Sequence, residues 1–168
     1  MRCRRSSCGK DTARSRFYAQ SSPHQAARYI DIYSSFFPLC GHSEAHGRLD
    51  KFAARGTTLE FLQMLTKDAA PTIPNSSVDF VYVDARHDFC GVMEDIELYW
   101  PKLREGGIMA GHDYVREETW KNSGQDWALC EDGSRNPLAV LGAVNQFAAK
   151  HELQVGTKPG IGHVQEFC

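Results

Sequence analysis

Two short polar clusters are the parts of this sequence best suited to chemistry. The first is 84–88 (DARHD) and the second is 111–114 (GHDY), and each directly follows a run of apolar residues that predicts a β-strand. Open α/β sheets bind ligands beyond the carboxyl ends of their strands, and neighbouring strands lie about 4.8 Å apart. If the two strands are neighbours, Asp84 and Asp113 are therefore expected to converge on one small volume.

Carboxylates that converge in this way favour a cation or a shared proton, because two negative charges at short range repel. Binding of Mg²⁺ or Ca²⁺ through oxygen atoms is one solution, and His87 and His112 add proton-transfer capacity or further ligands. We expect Asp84, His87 and Asp113 as catalytic residues, and Asp84, His112 and Asp113 as metal ligands. The alternative from the residues alone is structural, since an acid after a strand often caps a helix, as Asp88 could.

The elements that must position these clusters form a strand–helix–strand unit. Val78–Val83 (VDFVYV) is an almost unbroken β-branched and aromatic run, typical of a strand covered on both faces. Gly91–Leu103 has the apolar spacing of an amphipathic helix, with Asp95 assigned to its polar side. Gly106-Gly107 ends the unit and Ile108–Ala110 is a brief strand. This order predicts an α/β fold with right-handed crossovers.

Further elements extend the pattern on both sides. We predict a strand at 59–64 and helical turns at 66–70, with Thr66 as the N-cap candidate. Residues 115–135, with Trp120 and Trp127, are expected to form a long loop or lid. A helix from Asn136 to Lys150 with Leu138, Leu141, Val144 and Phe147 buried is followed by an antiparallel pair of strands at 153–157 and 163–167.

Composition places the chain among single globular domains. It has 168 residues, 42% of them apolar and 24% charged, with a net charge of −2. The mean hydropathy is −0.44, and no apolar run approaches the roughly 20 residues of a membrane helix. We therefore expect neither a membrane nor a nucleic-acid partner.

The first 22 residues differ from the rest of the chain. Residues 1–22 hold six Arg and Lys but one acid, Asp11, and few apolar residues. We expect a disordered basic tail at 1–22 and one domain at 23–168. A transit peptide or a wrongly predicted gene start are the alternatives for the tail. The chain is accordingly expected in the cytoplasm, or in an organelle if the tail is a transit peptide.

The six cysteines are widely spaced and contain no CxxC pair, which argues against a zinc ribbon or a thioredoxin-type site. We expect free thiols in a reducing compartment, with Cys90 buried on a helix. A disulfide framework is the alternative.

Three segments together carry a resemblance to a known family. They are 78–89 (VDFVYVDARHDF), 91–95 (GVMED) and 99–114 (YWPKLREGGIMAGHDY). Their order and polar ends resemble class I S-adenosylmethionine-dependent methyltransferases, and within them the branch of macrocin-type sugar O-methyltransferases. The likeness extends over about residues 57–156.

This resemblance implies a Rossmann-like, mostly parallel sheet in which 78–83 is the fourth strand, 108–110 the fifth, and the last two strands an antiparallel edge pair. Asp84, Ala85 and His87 would border S-adenosylmethionine. In metal-dependent members, acids at the positions of Asp84 and Asp113 help to hold magnesium. His112 stands where some members have another carboxylate, and imidazole suits transition metals better.

The sequence departs from the family upstream. Residues 1–56 contain no E-x-G-x-x-x-G loop of the kind that cradles the methionine part of the cofactor, and Asp31 is at most a remnant of the second strand. The first βαβ unit is therefore expected to be lost, so that the sheet lacks its centre and the cofactor binds weakly or not at all.

The resemblance predicts S-adenosylmethionine-dependent methylation of an oxygen on a small-molecule acceptor, and a homo-oligomer. Tyr114, Trp120 and Trp127 are expected to form a lid on the acceptor side, or alternatively to anchor a long surface loop. Because the glycine-rich loop is missing, we expect little or no activity. The first alternative is a non-catalytic remnant that serves as a binding or interaction module. The second is an iron site like that of the related cephalosporin hydroxylases, for which His87 would have to join His112 and Asp113.

Overall fold

The structure, a computed structural model, describes residues 15–20, 27–32, 59–159 and 165–167. Within these ranges it contains strands and helices in α/β order. The strands are β1 (Ser15–Gln20), β2 (Ala27–Ile32), β3 (Leu59–Gln63), β4 (Val78–Asp84), β5 (Leu103–Gly111), β6 (Thr157–Pro159) and β7 (Gln165–Phe167), and the helices are α1 (Thr66–Ala69), α2 (Phe89–Tyr99), α3 (Glu117–Trp120) and α4 (Ala139–Lys150). No helix in the described ranges is long and apolar enough to span a membrane.

All seven of these strands belong to one sheet in the order β3-β2-β1-β4-β5-β7-β6. The pairs β2–β3 and β4–β5 are parallel, whereas β1 is antiparallel to both of its neighbours and β7 is antiparallel to β5 and β6. Five of the seven strands thus run in one direction. The α/β fold class and the antiparallel pair at the C-terminal edge are confirmed, with the last two strands shifted to Thr157–Pro159 and Gln165–Phe167.

The pairing of β4 with β5 is what brings the two polar clusters together. Val83 is level with Gly111, and the amide of His112 donates to the carbonyl of Val83 at 3.0 Å. Because the strands are parallel, Asp84, the last residue of β4, and His112, the first residue after β5, lie at the same edge of the sheet. The two strands are therefore the neighbours that the sequence argument required.

Helices α2 and α4 cover this part of the sheet with a shared apolar core. Its members from α2 and α4 include Ile96, Tyr99, Val144 and Phe147, and all four are buried. Helix α2 starts at Phe89, two residues before the predicted start, because the Asp88 carboxylate accepts from the amide of Gly91 at 2.9 Å and caps it. The capping role considered for Asp88 is confirmed.

Asp95 lies in the core, not on the polar side of α2 where we expected it. Its side chain is 1% exposed, and Oδ1 accepts a hydrogen bond of 2.5 Å from the hydroxyl of Thr66. Burial, followed by smaller effects, raises the pKa of Asp95 to about 7. Thr66 therefore does not cap α1, since its hydroxyl is used in this contact and α1 has Leu65 at its N-cap.

The centre of the sheet is occupied, contrary to expectation. Strand β1 lies between β2 and β4, in the stretch expected to be disordered, although it runs antiparallel to both. Because β1 and β2 pair antiparallel, these two strands are not the parallel pair of a βαβ unit. The expectation of disorder is wrong for Ser15–Gln20, and residues 1–14 and 21–22 lie outside the described residues. Asp31 falls in β2.

Several boundaries differ from the sequence prediction. Strand β5 begins at Leu103 and contains Gly106 and Gly107, so these glycines form an irregularity within the strand instead of the turn before it. Gly106 takes a φ of +74°, which favours glycine. Helix α4 begins at Ala139, and Leu138, predicted to be buried, is 54% exposed.

Two of the six cysteines form a disulfide. Cys90, in the first turn of α2, is bonded to Cys130 in the loop between α3 and α4. The prediction of free thiols is therefore wrong for this pair, and Cys90 is half-buried where full burial was expected. The other four cysteines lie outside the described residues.

Candidate functional site

Three of the predicted site residues meet at the carboxyl ends of β4 and β5. One ligand atom from each of Asp84, His87 and Asp113 lies within 4.8 Å of the others. Asp84 ends β4, His87 follows three residues later, and Asp113 comes two residues after β5. The parallel register explains the meeting, because both strands deliver their next residues to the same edge of the sheet.

Asp113 is the hub of this cluster. Its Oδ2 lies 2.7 Å from Nε2 of His87 and 3.2 Å from Nδ1 of His112. Burial by itself would raise the pKa of Asp113, but the hydrogen bonds from His112 and His87 outweigh it and hold the pKa well below its ordinary value. Asp113 is therefore ionised at neutral pH and orients both imidazole rings.

The backbone at Asp113 is unusual. Its φ is +61°, in the left-handed region that few residues other than glycine adopt, although aspartate is among those that tolerate it best. The amide of Val115 donates to the Asp113 carbonyl at 2.8 Å and supports this turn. Backbone of this kind is often found where a functional side chain is held in place.

The remaining predicted residues contribute unequally. His112 Nδ1 lies 4.0 Å from Oδ1 of Asp84, so the two clusters touch through this pair as well. Ala85 is 1% exposed and belongs to the hydrophobic core, so only its backbone could border a ligand. Tyr114 donates to Oδ1 of Asn145 on α4 at 2.7 Å, which fastens the start of the long loop to that helix.

An aromatic stack covers the imidazole of His87. Trp127 lies 4.4 Å from His87 between ring centroids, with the planes only 12° apart, and Trp120 lies 5.6 Å from Trp127 at 17°. The two tryptophans were expected to belong to a lid on the acceptor side. The contact with His87 was not predicted, because it joins residues far apart in the sequence.

Arg86 is a second residue beside the site whose contacts were not predicted from the sequence. It binds the Asp88 carboxylate through two nitrogens, at 2.9 and 2.8 Å, and lies 3.3 Å from the carboxylate of Glu131 in the long loop. Asp88 is also near the sulfurs of Cys90 and Cys130. Since Arg86 already pairs with Asp88 and the two sulfurs are bonded to each other, that second group is not a candidate metal site.

The arrangement is suited to proton transfer. When Nε2 of a neutral imidazole donates to a carboxylate, the lone pair lies on Nδ1, so Asp113 fixes the tautomer in which Nδ1 of His87 can accept a proton. The same reasoning leaves Nε2 of His112 as an acceptor. A histidine base oriented by a carboxylate is a common means of activating a hydroxyl group.

Comparison with known proteins places the chain in a family. A family model described as a methyltransferase domain matches residues 6–114, well over half of the chain and including β4, α2, β5 and the site. No curated protein matches.

Two solved structures resemble the chain. The SAH-bound methyltransferase PaMTH1 of Podospora anserina superposes with a TM-score of 0.51 at 12% identity, over 87% of this chain and 61% of its own. A protein of Corynebacterium glutamicum gives a TM-score of 0.44 at 17% identity, over 74% of this chain and 56% of its own. The chain thus spans less than two thirds of either structure. At this identity the likeness to PaMTH1 supports the Rossmann-like fold alone.

Proposed function

The chain belongs to the methyltransferase-domain family, and on that premise we propose that it transfers a methyl group from S-adenosylmethionine to an oxygen of a small molecule. The observation that carries the proposal is the 2.7 Å contact between His87 and Asp113 at the carboxyl edge of the sheet. The cofactor already carries an activated methyl group, so the protein has mainly to align the acceptor and accept its proton.

His87 is the proposed general base. Asp113 holds its ring through Nε2, and Nδ1 is then the atom that accepts the acceptor's hydroxyl proton. The ring is only 14% exposed, which protects the proton transfer from bulk water. Ionised Asp113 also stabilises the imidazolium that forms during the reaction.

Magnesium does not fit the donor set of this chain. Mg²⁺ prefers oxygen ligands, whereas the group here is Asp84, His87 and Asp113, and Asp113 already accepts from two imidazoles. His87, His112 and Asp113 match in type the two histidines and one carboxylate of iron oxygenases, but each imidazole directs a ring nitrogen at the Asp113 carboxylate as a hydrogen-bond donor instead of toward a shared ion. We therefore assign Asp84, His112 and Asp113 no role as metal ligands and derive no step through a metal.

The proposed place of the cofactor is beside Asp84, Ala85 and His87, as the family resemblance implies. The Asp84 carboxylate supplies negative charge that complements the cationic sulfonium and ammonium groups. The glycine-rich loop is missing, because the sequence has no glycine between Gly9 and Gly41. Strand β1 also ends far from Asp84, since Gln20 pairs with Phe80 while Arg16 pairs with Asp84. We therefore propose weak binding.

A sugar hydroxyl is the proposed acceptor, because the motifs in 78–114 resemble macrocin-type sugar O-methyltransferases. Sugar hydroxyls are poor acids, so a positioned base such as His87 contributes more to their methylation than it would for an acidic phenol.

The second candidate function is a non-catalytic binding module. The specific observation in its favour is the same lack of a glycine-rich loop after β1, together with the reversed direction of that strand. In that case the cluster of Asp84, His87 and Asp113 has no catalytic role, and S-adenosylmethionine does not bind.

Equilibrium dialysis with tritium-labelled S-adenosylmethionine distinguishes the two. We expect the chain to bind with a Kd of about 0.1–1 mM, the upper part of the usual range of KM values, and Asp84→Asn to weaken binding several-fold. Asp68→Asn, an exposed change on α1, is the matched control. No binding at millimolar cofactor would favour the non-catalytic module, equal binding by Asp84→Asn would move the site elsewhere, and a low-micromolar Kd would overturn the argument from the missing loop.

A further inference from the structure

The rings of His87, Trp127 and Trp120 form a stack over the site that is packed too closely to act as a flexible lid. Trp127 is nearly parallel to two rings at once, that of His87 and that of Trp120. Trp120 is itself buried, and Nε1 of Trp127 donates to Oε1 of Gln125 at 3.1 Å. These contacts hold the Trp127 ring in place as part of the packed protein. Its function is therefore not to stack on a ligand.

The disulfide joins the two segments that carry the stacked rings. His87 precedes Cys90 by three residues, and Trp127 precedes Cys130 by the same number. The bond between the sulfurs therefore closes a short ring of chain in which the stack of His87 on Trp127 is the other cross-link. Any movement of Trp127 away from His87 is limited by the covalent bond beside it.

The loop around Cys130 is a compact unit. Arg135 binds the Asp126 carboxylate at 2.9 and 3.0 Å, and the amide of Cys130 donates to the carbonyl of Ser134 at 2.9 Å. These contacts hold residues 126–135 together, so the unit moves as one body when its attachment to α2 changes.

The attachments of this unit to the site are few. Besides the disulfide and the ring stack, the described residues make two contacts across this gap: the one given above between Arg86 and Glu131, and one of 3.7 Å between Sγ of Cys90 and Oγ of Ser134. Glu131 is 79% exposed, and ion pairs at such exposure contribute little. The disulfide is therefore the strongest tie between the 126–135 unit and α2.

We propose that Trp127 is a positioning residue for His87, and that the Cys90–Cys130 disulfide holds it there, so that the orientation of His87 depends on the redox state of this pair. Asp113 fixes the His87 ring through one nitrogen, which still permits rotation about that hydrogen bond. The indole face removes this freedom. The consequence for methyl transfer rests on the function proposed above for His87.

The redox step is a thiol–disulfide exchange with a dithiol. The dithiol supplies two electrons and two protons, the sulfur–sulfur bond becomes the thiols of Cys90 and Cys130, and the dithiol leaves as a disulfide. Opening the bond frees the 126–135 unit to move from α2, and the stack of Trp127 on His87 loosens.

The test is the NMR signal of the His87 ring protons in histidine-labelled protein, assigned with His87→Gln. A proton over the face of an indole resonates upfield of its usual position, so the oxidised protein is expected to give an upfield-shifted pair of signals. Trp127→Ala, Cys90→Ser with Cys130→Ser, and reduction by dithiothreitol are each expected to abolish the shift. Trp127→Phe, which keeps an aromatic face, is expected to retain it.

Controls separate this inference from unfolding and from other cysteines. Dithiothreitol added to the double serine variant should cause no further change, because its Cys90 and Cys130 are already gone. Trp100→Phe, on the far side of α2 against Phe147, should leave the His87 signals as they are. The amide spectrum of each variant reports whether it has folded.

The inference is overturned if the oxidised protein shows no upfield shift, or if the shift survives in folded Trp127→Ala. It is also overturned if the shift survives reduction once peptide mapping shows free Cys90 and Cys130. These outcomes do not depend on S-adenosylmethionine, whose binding is measured on the same samples by dialysis. Failure of the cofactor to bind would therefore refute the proposed function while leaving the ring signals to decide this inference.

Discussion

Nε2 of His87 lies 2.7 Å from Oδ2 of Asp113, although the two residues follow different strands. The contact exists because Val83 of β4 is level with Gly111 of β5, so that the two strands end at the same level of the sheet. A shift of the register by one residue would move Asp113 away from His87. The chemistry of the site therefore depends directly on the pairing of β4 with β5.

The ionised form of Asp113 is expected to stabilise the fold. Its pKa in the folded chain is lowered, so the stabilisation is present above the ordinary aspartate pKa of about 3.9 and is lost as the pH falls below that value. Asp113→Asn, which tolerates the same left-handed backbone, should lower the free energy of unfolding at pH 6 by about 1–3 kcal/mol. Urea unfolding at several pH values measures the difference, which should shrink below pH 4. A difference that is constant from pH 6 to pH 3 would contradict this account.

Asp95 is expected to have the opposite effect. Its pKa is raised from 3.8 to about 7 in the folded chain, so folding favours the protonated form. The free energy of unfolding is therefore highest, as far as Asp95 determines it, below about pH 4. It falls as the pH rises toward 7, by a few kcal/mol at about 1.4 kcal/mol per pKa unit. Asp95→Asn, which can still accept from Thr66, should remove this decline.

Urea unfolding between pH 4 and pH 8 compares Asp95→Asn with wild type, and Glu97→Gln, an exposed change on the same helix, is the matched control. The control should keep the wild-type slope. If Asp95→Asn keeps it too, ionisation of Asp95 is not coupled to folding.

The disulfide is expected to contribute to stability independently of its effect on His87. It links residues 40 apart in the sequence, and a bond of that span typically contributes about 2–4 kcal/mol. The Cys90→Ser, Cys130→Ser double variant should lose that amount in urea unfolding without reductant. With reductant present, the variant and the wild type should unfold at nearly the same urea concentration; a persisting gap would point to damage by the serines themselves.

Gly142 is expected to resist substitution because Leu138, at the N-cap of its own helix, and Phe89 of α2 leave no room for a Cβ atom. A Cβ atom there would come within 2.6 Å of Cβ of Leu138 and 3.3 Å of Cδ2 of Phe89. Gly142→Ala should therefore destabilise the fold by about 1–3 kcal/mol in spite of the better helix propensity of alanine. Gln146→Ala, on the exposed side of the same helix, should have little effect in the same thermal or urea melts. A more stable Gly142→Ala protein would show that Leu138 and Phe89 can move away from the added methyl group at no cost.

The elements around the site could be predicted from sequence because their signals are local. The β-branched run of β4 and the apolar spacing of α2 each lie within one segment, and parallel strands direct their ends to one edge. The meeting of Asp84 with Asp113 followed from these two facts. Asp95 could have been found as well, since it shares helical spacing with Val92, Ile96 and Tyr99 and so falls on the buried face.

The other features depend on contacts between distant segments. Six cysteines allow 15 complete pairings, so the bond between Cys90 and Cys130 cannot be deduced from spacing. The stack of Trp127 on His87 has the same origin. Strand β1 was not predicted because it lies in a basic stretch that was interpreted from its charge, although Phe17 and Tyr18 favour a strand.

The most direct test of the central claim is where S-adenosylhomocysteine binds. Amide spectra of the nitrogen-labelled chain, recorded as the compound is added to millimolar concentration, are predicted to change at residues 84–87 and 111–113 and to change less in Asp84→Asn. No change, or changes confined to the apolar cavity lined by Ile96, Val144 and Phe147, would contradict a methyl-transfer site at the ends of β4 and β5.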